Sequence, residues 1–241
     1  MSEHAVVHFE IHGPDAKALA AFYEELFGWT IDANNPMNYA MVFKMDEGIG
    51  GGIAMNPDGS PGVTFYVTCG DDVKGMLDEA VRAGAQVAMD VMVIPDGPTI
   101  AAFRDPDGNL IGLVNGGPGD ESPVHGGGAP VTWFEIGAVD AAKSQKWFAD
   151  LFGWKVDADN PMHYGMVDAI GNGIGGGIGP SEQGPYVTVY VAAADIEATL
   201  EKANGLGGKT VTEPMEVPGG PTIAHFTDPA GNFIGILLPQ P

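Results

Sequence analysis

An octad rich in aromatic residues occurs twice in the chain. Phe22–Trp29 reads FYEELFGW, and Trp147–Trp154 reads WFADLFGW 125 residues later. The similarity continues past the octad, because residues 27–42 and 152–167 agree at 11 of 16 positions. Unrelated segments would share about one position at ordinary residue frequencies. The chain is therefore a duplication, and its two halves should build the same structure.

The duplication predicts two domains in a chain of 241 residues. Each half is long enough to bury a core of its own, since domains of about 100–150 residues are common. Residues 115–129 include six glycines and two prolines, which is typical of a flexible linker. We predict domain 1 over residues 1–114, the linker over 115–129, and domain 2 over 130–241.

Each half reads as two successive βαβββ modules. Residues 5–12 alternate between apolar and polar side chains, which predicts a strand with His8, Glu10 and His12 on one face. Asp15 follows at the position of a helix N-cap, and Gly28 lies where a left-handed residue ends the helix. Three strand patterns come next, and the same order then restarts at residue 63. The fold class indicated by this order is α+β.

Composition and charge exclude several classes of protein. The net charge is −22, from 32 acidic and 10 basic residues, so the chain offers no basic patch for a phosphate backbone. Cys69 is the single cysteine, which rules out an intrachain disulfide. The N-terminus lacks the pattern of a signal peptide, and no run approaches 18 apolar residues. We therefore expect a cytoplasmic protein with neither a nucleic-acid partner nor a membrane span.

Several of these features together resemble the vicinal oxygen chelate superfamily. They are Asp15, the first octad, and the Asp-Pro-Asp-Gly-Asn turn at 105–109 before a final strand. This superfamily includes glyoxalase I, bleomycin-resistance proteins and extradiol dioxygenases. The Phe-Gly-Trp ending and the Gly-Gly-Ile strand resemble its two-domain glyoxalase-like branch, which includes the mycobacterial 27-kDa antigen. The resemblance implies tandem glyoxalase-like domains, each with two βαβββ modules that form a half-open mixed β-barrel around a cleft.

The resemblance also implies a divalent metal ion, held by His or Gln on first strands and by Glu on last strands. At the matching positions this chain has one histidine, His8, and otherwise Trp133, Thr64, Thr188, Gly112 and Gly235. A single ligand does not hold a catalytic metal. His12 does not help, because it lies roughly 13 Å from His8 on an extended strand. We therefore predict a site with no metal and no cofactor.

Two carboxylates are the candidate catalytic groups. Glu10 and Glu135 occupy matching positions on the first strand of each half, on the face that should line the cleft. A carboxylate in such a place is costly unless it is paired or hydrogen-bonded, and it suits a general base or a ligand acceptor. The alternative is a structural Glu bound to a neighbouring backbone or to a tyrosine hydroxyl.

Further polar and aromatic residues should line the clefts and bind a ligand. Tyr39 and Tyr164 are flanked by Met37, Met41, Met162 and Met166, which form either plain core or a soft wall for a flat ligand. One of His163 and His225 is expected to face the cleft, whereas a lone His is usually structural. The predicted ligand-binding residues are His8, Tyr39, Thr64, Tyr66, Trp133, His163, Tyr164, Thr188, Tyr190 and His225.

A glycine-rich hexapeptide, Gly-Ile-Gly-Gly-Gly-Ile, also occurs twice, at 48–53 and 173–178. It does not fit the G-x-G-x-x-G dinucleotide fingerprint, and it precedes a strand. Close backbone packing or a β-bulge explains it better.

The sequence favours a metal-independent protein that binds a hydrophobic or aromatic small molecule. It would either sequester that molecule or convert it by acid/base chemistry of a lyase, isomerase or hydroxylase type, with Glu10 or Glu135 as base. Two alternatives remain open: a metal-dependent glyoxalase I-like lyase or dioxygenase, and a non-catalytic interaction protein. The residues leave open whether the chain is a monomer or a homodimer.

Overall fold

The structure, a computed structural model, describes residues 4–34, 39–45, 47–56, 58–116 and 126–239. The helices are α1 Ala16–Phe27, α2 Val73–Arg82, α3 Ala141–Phe152 and α4 Ile196–Gly205. The first-half strands are β1 Val6–Gly13, β2 Ile31–Asp32, β3 Ala40–Val42, β4 Gly50–Met55, β5 Gly62–Thr68, β6 Gln86–Val93, β7 Thr99–Arg104 and β8 Leu110–Val114. The second-half strands are β9 Val131–Ala138, β10 Val156–Asp157, β11 Gly165–Val167, β12 Gly175–Pro180, β13 Tyr186–Ala192, β14 Lys209–Glu216, β15 Thr222–Thr227 and β16 Phe233–Leu238. Within the described ranges, no helix has the length and apolar character needed to cross a membrane.

Each of these helices begins after an aspartate that caps it. The Asp15 carboxylate accepts the amide of Ala18 at 3.0 Å, which satisfies one of the free N–H groups of the first turn. Asp72, Asp140 and Asp195 make the same contact at the other three helices. Gly28 has a φ of 70°, the left-handed conformation that ends α1. The predicted caps at both ends of α1 are confirmed.

The strands form two eight-stranded mixed sheets in tandem. The orders are β2-β3-β4-β1-β5-β8-β7-β6 and β10-β11-β12-β9-β13-β16-β15-β14. The pairs β5–β8, β9–β12 and β13–β16 are parallel, whereas pairs within a meander such as β3–β4 are antiparallel. In neither order does the last strand pair with the first, so neither sheet closes into a barrel. The predicted α+β fold, with two βαβββ modules in each half-open sheet, is confirmed.

The contacts of the chain group into two compact units. The described residues of unit 1 fall within Met1–His8, Thr64–Glu121 and Trp133–Val187, and those of unit 2 within Phe9–Val63, Ser122–Thr132 and Thr188–Pro241. Unit 1 thus contains most of the second and third modules, and unit 2 most of the first and fourth. The predicted boundaries at residues 114 and 130 stay a prediction.

The second octad builds the core of unit 1. The Trp154 ring packs 5.4 Å from that of Phe134, which itself lies 4.7 Å from Phe65. The Trp154 indole donates a hydrogen bond to the carbonyl of His4 at 2.7 Å. Trp147, at the start of the octad, donates to the carbonyl of Ala83 at 2.8 Å. The octad therefore fills the core with rings and also pairs backbone carbonyls.

The first octad does the same work in unit 2. The rings of Tyr23 and Trp29 stack 5.1 Å apart, and Trp29 also packs 5.4 Å from Phe9. Tyr23 is fully buried, and its hydroxyl donates to the Asp228 carboxylate at 2.8 Å. Such a buried hydroxyl needs a partner, since an unpaired polar group in a core costs about 1–3 kcal/mol.

The Asp-Pro-x-Gly-Asn turns fasten first strands within each unit. The carboxylate of Asp228 accepts the amide of Asn232 at 2.9 Å, which folds the turn on itself. The Asn232 side chain then donates to the carbonyl of His12 on β1 at 2.9 Å. Asn109 makes the matching contact with the carbonyl of Gly137 on β9 at 3.4 Å. The turns thus fix the backbone beside the candidate residues of β1 and β9.

The triple glycines leave room for aromatic rings on both faces of β4 and β12. A Cβ on Gly176 would overlap the ring of Phe134, and a Cβ on Gly177 would overlap the ring of Tyr164. Gly51 and Gly52 stand in the same relation to Phe9 and Tyr39. The register of β3 against β4 is continuous, without a bulge. Of the two explanations offered for the hexapeptide, close packing is the one observed.

Candidate functional site

The face of β9 that carries Glu135 is opposite to the core face. Phe134 and Ile136 are fully buried, whereas Trp133 on the other face is half-buried. Because side chains alternate along a strand, Trp133, Glu135 and Gly137 share the second face. The register places Trp133 opposite Gly175 and Glu135 opposite Gly177 of β12. The candidate residues of β9 therefore lie beside the bare backbone of a glycine strand.

Glu135 is the centre of a hydrogen-bonded cluster in unit 1. Tyr164 donates its hydroxyl proton to Glu135 Oε2 at 2.9 Å, and Tyr186 donates to Glu135 Oε1. The Trp133 indole donates in turn to the Tyr164 oxygen at 3.1 Å. Glu135 is 9% exposed, so these contacts replace much of its hydration. We call Trp133, Glu135, Tyr164 and Tyr186 the Glu135 cluster.

Both phenols of the cluster stay neutral at physiological pH. Burial, followed by the nearby Glu135 charge, raises the pKa of Tyr164 well above its ordinary value of 10. The same causes, in the same order, raise the pKa of Tyr186. A neutral phenol keeps its proton, and the carboxylate is the acceptor that takes the hydrogen bond.

Glycines let the cluster lie flat on the sheet. A Cβ at Gly137 would overlap the ring of Tyr186, just as one at Gly177 would overlap that of Tyr164. Met166 lies on β11, two residues after Tyr164, and is 45% exposed. Met162, in the turn before Tyr164, is 49% exposed. The methionines flanking Tyr164 are thus an accessible soft surface rather than core.

Glu10 forms a related cluster in unit 2. Tyr39 donates its hydroxyl proton to Glu10 Oε1 at 2.9 Å, in the same way that Tyr164 contacts Glu135. His12 Nε2 lies 3.3 Å from Glu10 Oε2, and both of these side chains are 13% exposed. We call Glu10, His12 and Tyr39 the Glu10 cluster. Met41 is 39% exposed, whereas Met37 lies outside the described residues.

The two clusters differ in the second partner of the carboxylate. The sequence position of His12 corresponds to Gly137 in the other half, and that of Tyr186 corresponds to Gly62. One cluster therefore has a histidine on its own first strand, and the other has a tyrosine from the next module. The Glu–Tyr hydrogen bond is common to both, but a basic partner accompanies only Glu10 among the contacts described.

The positions where the family would hold a metal do not supply a ligand set. Gly112 and Gly235 lie under the rings of Tyr66 and Tyr190, which a Cβ at either glycine would overlap. Thr64 and Thr188 donate their hydroxyls to backbone carbonyls, of Leu110 at 2.6 Å and Phe233 at 2.7 Å. Across the described ranges, no three His, Cys, Asp or Glu side chains come together as a metal requires. The residues present do not fit the divalent ion that the family implies.

The predicted histidines have different environments. His8 packs edge-on against Tyr66, with ring centroids 5.7 Å apart. His225 is 8% exposed, stacks on Phe233 at 4.7 Å, and shares a hydrogen bond of 2.9 Å with Tyr190. Burial lowers the pKa of His225 from 6.5 to about 4, and its Nδ1 has no partner within the described part of the chain. His163 is exposed in a turn with a φ of 51°.

The structure brings the predicted residues together in separate groups. Trp133, Glu135 and Tyr164 meet in unit 1, where His8 also meets Tyr66. Glu10 meets Tyr39 in unit 2, and Tyr190 meets His225 there. The sequence did not identify Tyr186 as a partner of Glu135. A signal existed, since Tyr186 lies two residues before the predicted Thr188 on the same strand face.

Two cavities of the described residues lie elsewhere, both in unit 2. One of about 540 Å³ lies at the β14–β15 hairpin, around Glu216 and Pro221. The other, of about 470 Å³, lies beside the start of α1, around Asp15 and Phe22. Neither is lined by a predicted site residue. Both clusters thus lie outside these two cavities.

Comparison with known proteins identifies the family. A family model described as the Glyoxalase/Bleomycin resistance protein/Dioxygenase superfamily matches residues 5–113 and 131–236. "Putative glyoxylase CFP32" of Mycobacterium tuberculosis is 25% identical over 96% of this chain and 94% of its own length. "Anthracycline biosynthesis protein DnrV" of Streptomyces peucetius is 24% identical over 95% of this chain and 91% of its own.

Solved structures share the fold at low sequence identity. The Mn(II)-bound glyoxalase from Novosphingobium aromaticivorans has a TM-score of 0.69 at 17% identity, over 99% of this chain and 83% of its own. Homoprotocatechuate 2,3-dioxygenase from Brevibacterium fuscum has a TM-score of 0.72 at 13% identity, over 100% of this chain and 82% of its own. At these identities the likeness concerns the fold alone.

Proposed function

The chain belongs to the Glyoxalase/Bleomycin resistance protein/Dioxygenase superfamily, and from this premise we propose that it is a metal-independent protein that binds a flat, hydrophobic or aromatic small molecule. The Glu135 cluster is the site we assign to that ligand. Glu10 and Tyr39 form a second site of the same kind in unit 2.

The Glu135 cluster is the single observation on which the proposal rests. The Glu135 carboxylate is 9% exposed and accepts hydrogen bonds from two phenols, whose rings lie on the glycines Gly137 and Gly177. The flat rings of Trp133, Tyr164 and Tyr186 suit an aromatic partner, since offset ring pairs stabilise a contact by about 0.5–1.5 kcal/mol beyond burial. The exposed Met162 and Met166 supply adaptable apolar contacts beside it.

The names of two relatives agree with a flat aromatic ligand. DnrV of Streptomyces peucetius and DauV of Streptomyces sp. are both named as anthracycline biosynthesis proteins. Anthracyclines are planar polycyclic molecules that carry hydroxyl and carbonyl groups. We extend this chemistry to the present chain as the class of ligand to test, not as its identity.

The residues at the positions of the family's ligands support metal independence. Tyr66 and Tyr190 cover the two glycines where carboxylates would be needed, and Thr64 and Thr188 are engaged with backbone carbonyls. A ligand is then held by hydrogen bonds and ring contacts instead of by coordination to an ion.

Of the two forms of this function, sequestration and acid/base conversion, the geometry favours sequestration. Both oxygens of Glu135 accept a hydrogen bond from a phenol, and Tyr39 occupies Glu10 in the same way. Held in this way, each carboxylate is suited to accept a further hydrogen bond from a ligand, because a carboxylate has about four lone-pair sites. We assign both carboxylates the role of ligand acceptor.

The proposal also includes the setting of the protein. We propose a cytoplasmic protein, a monomer or a homodimer, without a nucleic-acid partner. The single cysteine and the net charge of −22 support this setting.

The test is calorimetric binding of a planar hydroxylated aromatic, 1,4-dihydroxyanthraquinone, to the full chain before and after EDTA treatment. We expect binding to survive chelation and to weaken at least about tenfold in Glu135→Gln. The matched control is Glu182→Gln, an exposed glutamate in the same unit, which should bind normally. If ligand binding requires stoichiometric zinc, manganese or iron, metal independence is refuted. If Glu135→Gln binds the ligand as tightly as the unaltered protein, the assignment of the site to the Glu135 cluster is refuted. Product formation, followed by mass spectrometry, would favour conversion over sequestration.

A further inference from the structure

The polar hydrogens of the three aromatic side chains in the Glu135 cluster are all donated within the cluster. An indole carries one N–H and a phenol one O–H. The Trp133 N–H is donated to Tyr164, and the Tyr164 hydroxyl proton is donated to Glu135. The Tyr186 hydroxyl proton is also donated to Glu135. None of the three rings has a second polar hydrogen to offer to a ligand.

The cluster therefore presents acceptors and ring faces to whatever binds it. A carboxylate has about four lone-pair sites, and each phenol oxygen keeps a lone pair after it has donated its proton. A ligand that offers only acceptors, such as a carboxylate or a phosphate, would meet like dipoles and a like charge. A ligand that fits must donate hydrogen bonds.

Among donors, a protonated amine fits best. An ammonium group has three N–H donors and no acceptor, and its positive charge is attracted to the faces of Trp and Tyr rings. The three donors to Glu135 and Tyr164 in the cluster are neutral groups, whereas an ammonium group would bring a positive charge to the carboxylate. The net charge of −22 adds a field that raises the local concentration of cations.

The Glu10 cluster provides a natural contrast. There His12, a basic side chain, lies 3.3 Å from the carboxylate at the position that corresponds to Gly137. An imidazole in that place occupies the carboxylate from the side on which Tyr186 approaches Glu135. The same Glu–Tyr pair is thus combined with a basic group in one half and with a second phenol in the other.

We propose that the Glu135 cluster recognises a ligand in which a protonated amine is attached to an aromatic body. The amine donates to Glu135 and lies against the rings of Trp133, Tyr164 and Tyr186, while the aromatic body rests on the methionines Met162 and Met166. This inference rests on the proposed function and specifies the charge of its ligand. Binding at the Glu10 cluster should not show the same preference.

Three naphthalene probes that differ in one group test the inference. They carry an aminomethyl, a hydroxymethyl or a carboxylate group, and each is titrated calorimetrically into the full chain at neutral pH. We expect the amine to bind at least about tenfold more tightly than the alcohol, and the carboxylate to bind most weakly. The amine's advantage should fall to less than about threefold in Glu135→Gln and persist in Glu10→Gln.

A second measurement on the unaltered protein guards against a variant that fails to fold. Raising the salt concentration from 50 to 500 mM should weaken the amine several-fold and leave the alcohol unchanged, because screening acts on charge. In Tyr186→Phe the ring remains and one donor to Glu135 is lost, so the amine should bind at least as tightly as before.

The outcomes separate this inference from the proposed function. Equal binding of the amine and the alcohol would overturn the inference and leave the proposed function standing. A preference for the amine that survives in a folded Glu135→Gln protein would have the same consequence. Absence of binding by all three probes, together with the hydroxylated anthraquinone, would overturn both.

Discussion

Replacing Gly177 by alanine should disrupt the Glu135 cluster without touching any of its members. A Cβ on Gly177 would lie closer than 3.0 Å to the Cε1, Cζ and Oη atoms of Tyr164. The ring also lies against Gly179, where a Cβ would be 2.7 Å from Tyr164. The ring is rigid and in contact with the backbone of β12 at both glycines, so a small shift along the strand does not relieve the clash. The ring must therefore leave its place, and it takes its hydrogen bonds with it.

The cost has two parts. Forcing a methyl group into a packed position costs about 1–3 kcal/mol. Displacing Tyr164 also breaks its bond to Glu135 and the bond it accepts from Trp133, at about 1.5–3 kcal/mol for the charged acceptor and about 1 kcal/mol for the neutral one. The sum is about 5 kcal/mol, which corresponds to a fall in melting temperature of roughly 10–20 °C for a chain of this size.

Thermal unfolding followed by circular dichroism measures this loss, and Gly205→Ala is the matched control. Gly205 ends α4, and its added Cβ would meet no atom of the described residues within 4 Å, so this change should be neutral or stabilise by up to about 1 kcal/mol. In a Tyr164→Ala background Gly177→Ala should cost little, because the ring with which the new Cβ clashes is then absent. A Gly177→Ala protein as stable as Gly205→Ala would refute the packing of Tyr164 on β12.

Three further predictions concern pH and metal. Burial and then the Asp228 charge raise the pKa of Tyr23 above 10, so only the unfolded state loses that proton just above pH 10. The free energy of unfolding should therefore fall as pH rises past 10, and it should fall less steeply in Tyr23→Phe. Urea titrations at pH 8–11 measure this difference. Burial lowers the pKa of His225 to about 4, so stability should fall as pH drops from 6.5 to 4. This loss of stability is up to about 3 kcal/mol and should be absent in His225→Phe. If NMR shows that His225 of the folded protein takes up a proton near pH 6.5, the prediction is wrong. Dialysis against EDTA should leave the melting temperature unchanged within about 1 °C, because no bound ion is then lost; a larger fall would indicate a bound metal.

The fold was accessible from the sequence because local signals agreed with one another. The repeated octad, the aspartate caps and the alternating strands each depend on neighbours in the chain, and α1 with its caps at Asp15 and Gly28 appears as predicted. Apolar side chains alternate over residues 37–45, a pattern that by itself indicates a longer strand than β3, which covers Ala40–Val42. Residues 35–38 lie outside the described ranges, so the start of that pattern is untested.

The candidate site was accessible only in part, because its partners come from different modules. Strand alternation was enough to place Glu10 and Glu135 on the face away from the core. The strand face of Tyr186 could be predicted from Thr188, but its pairing with Glu135 also depends on β13 lying beside β9, an order that no local pattern encodes. Likewise, Tyr66 and Tyr190 cover Gly112 and Gly235 because they lie opposite them on neighbouring strands. The spacing of residues along the chain does not reveal that pairing.

The two halves keep the Glu–Tyr hydrogen bond and exchange the second partner, which suggests that the shared bond holds the carboxylate and the second partner sets its charge preference. This division can be tested by moving the partner. Gly62 corresponds to Tyr186, and among the described residues a Cβ there would meet the side chain of Asn56 at 3.9 Å, which is an ordinary contact distance. In a His12→Gly, Gly62→Tyr protein that also carries Glu135→Gln, we expect the aminomethyl probe to regain its advantage over the alcohol. Because Glu10 would then have two phenols and no basic neighbour in its cluster, an advantage that stays absent in this folded variant would show that the second partner does not set the preference.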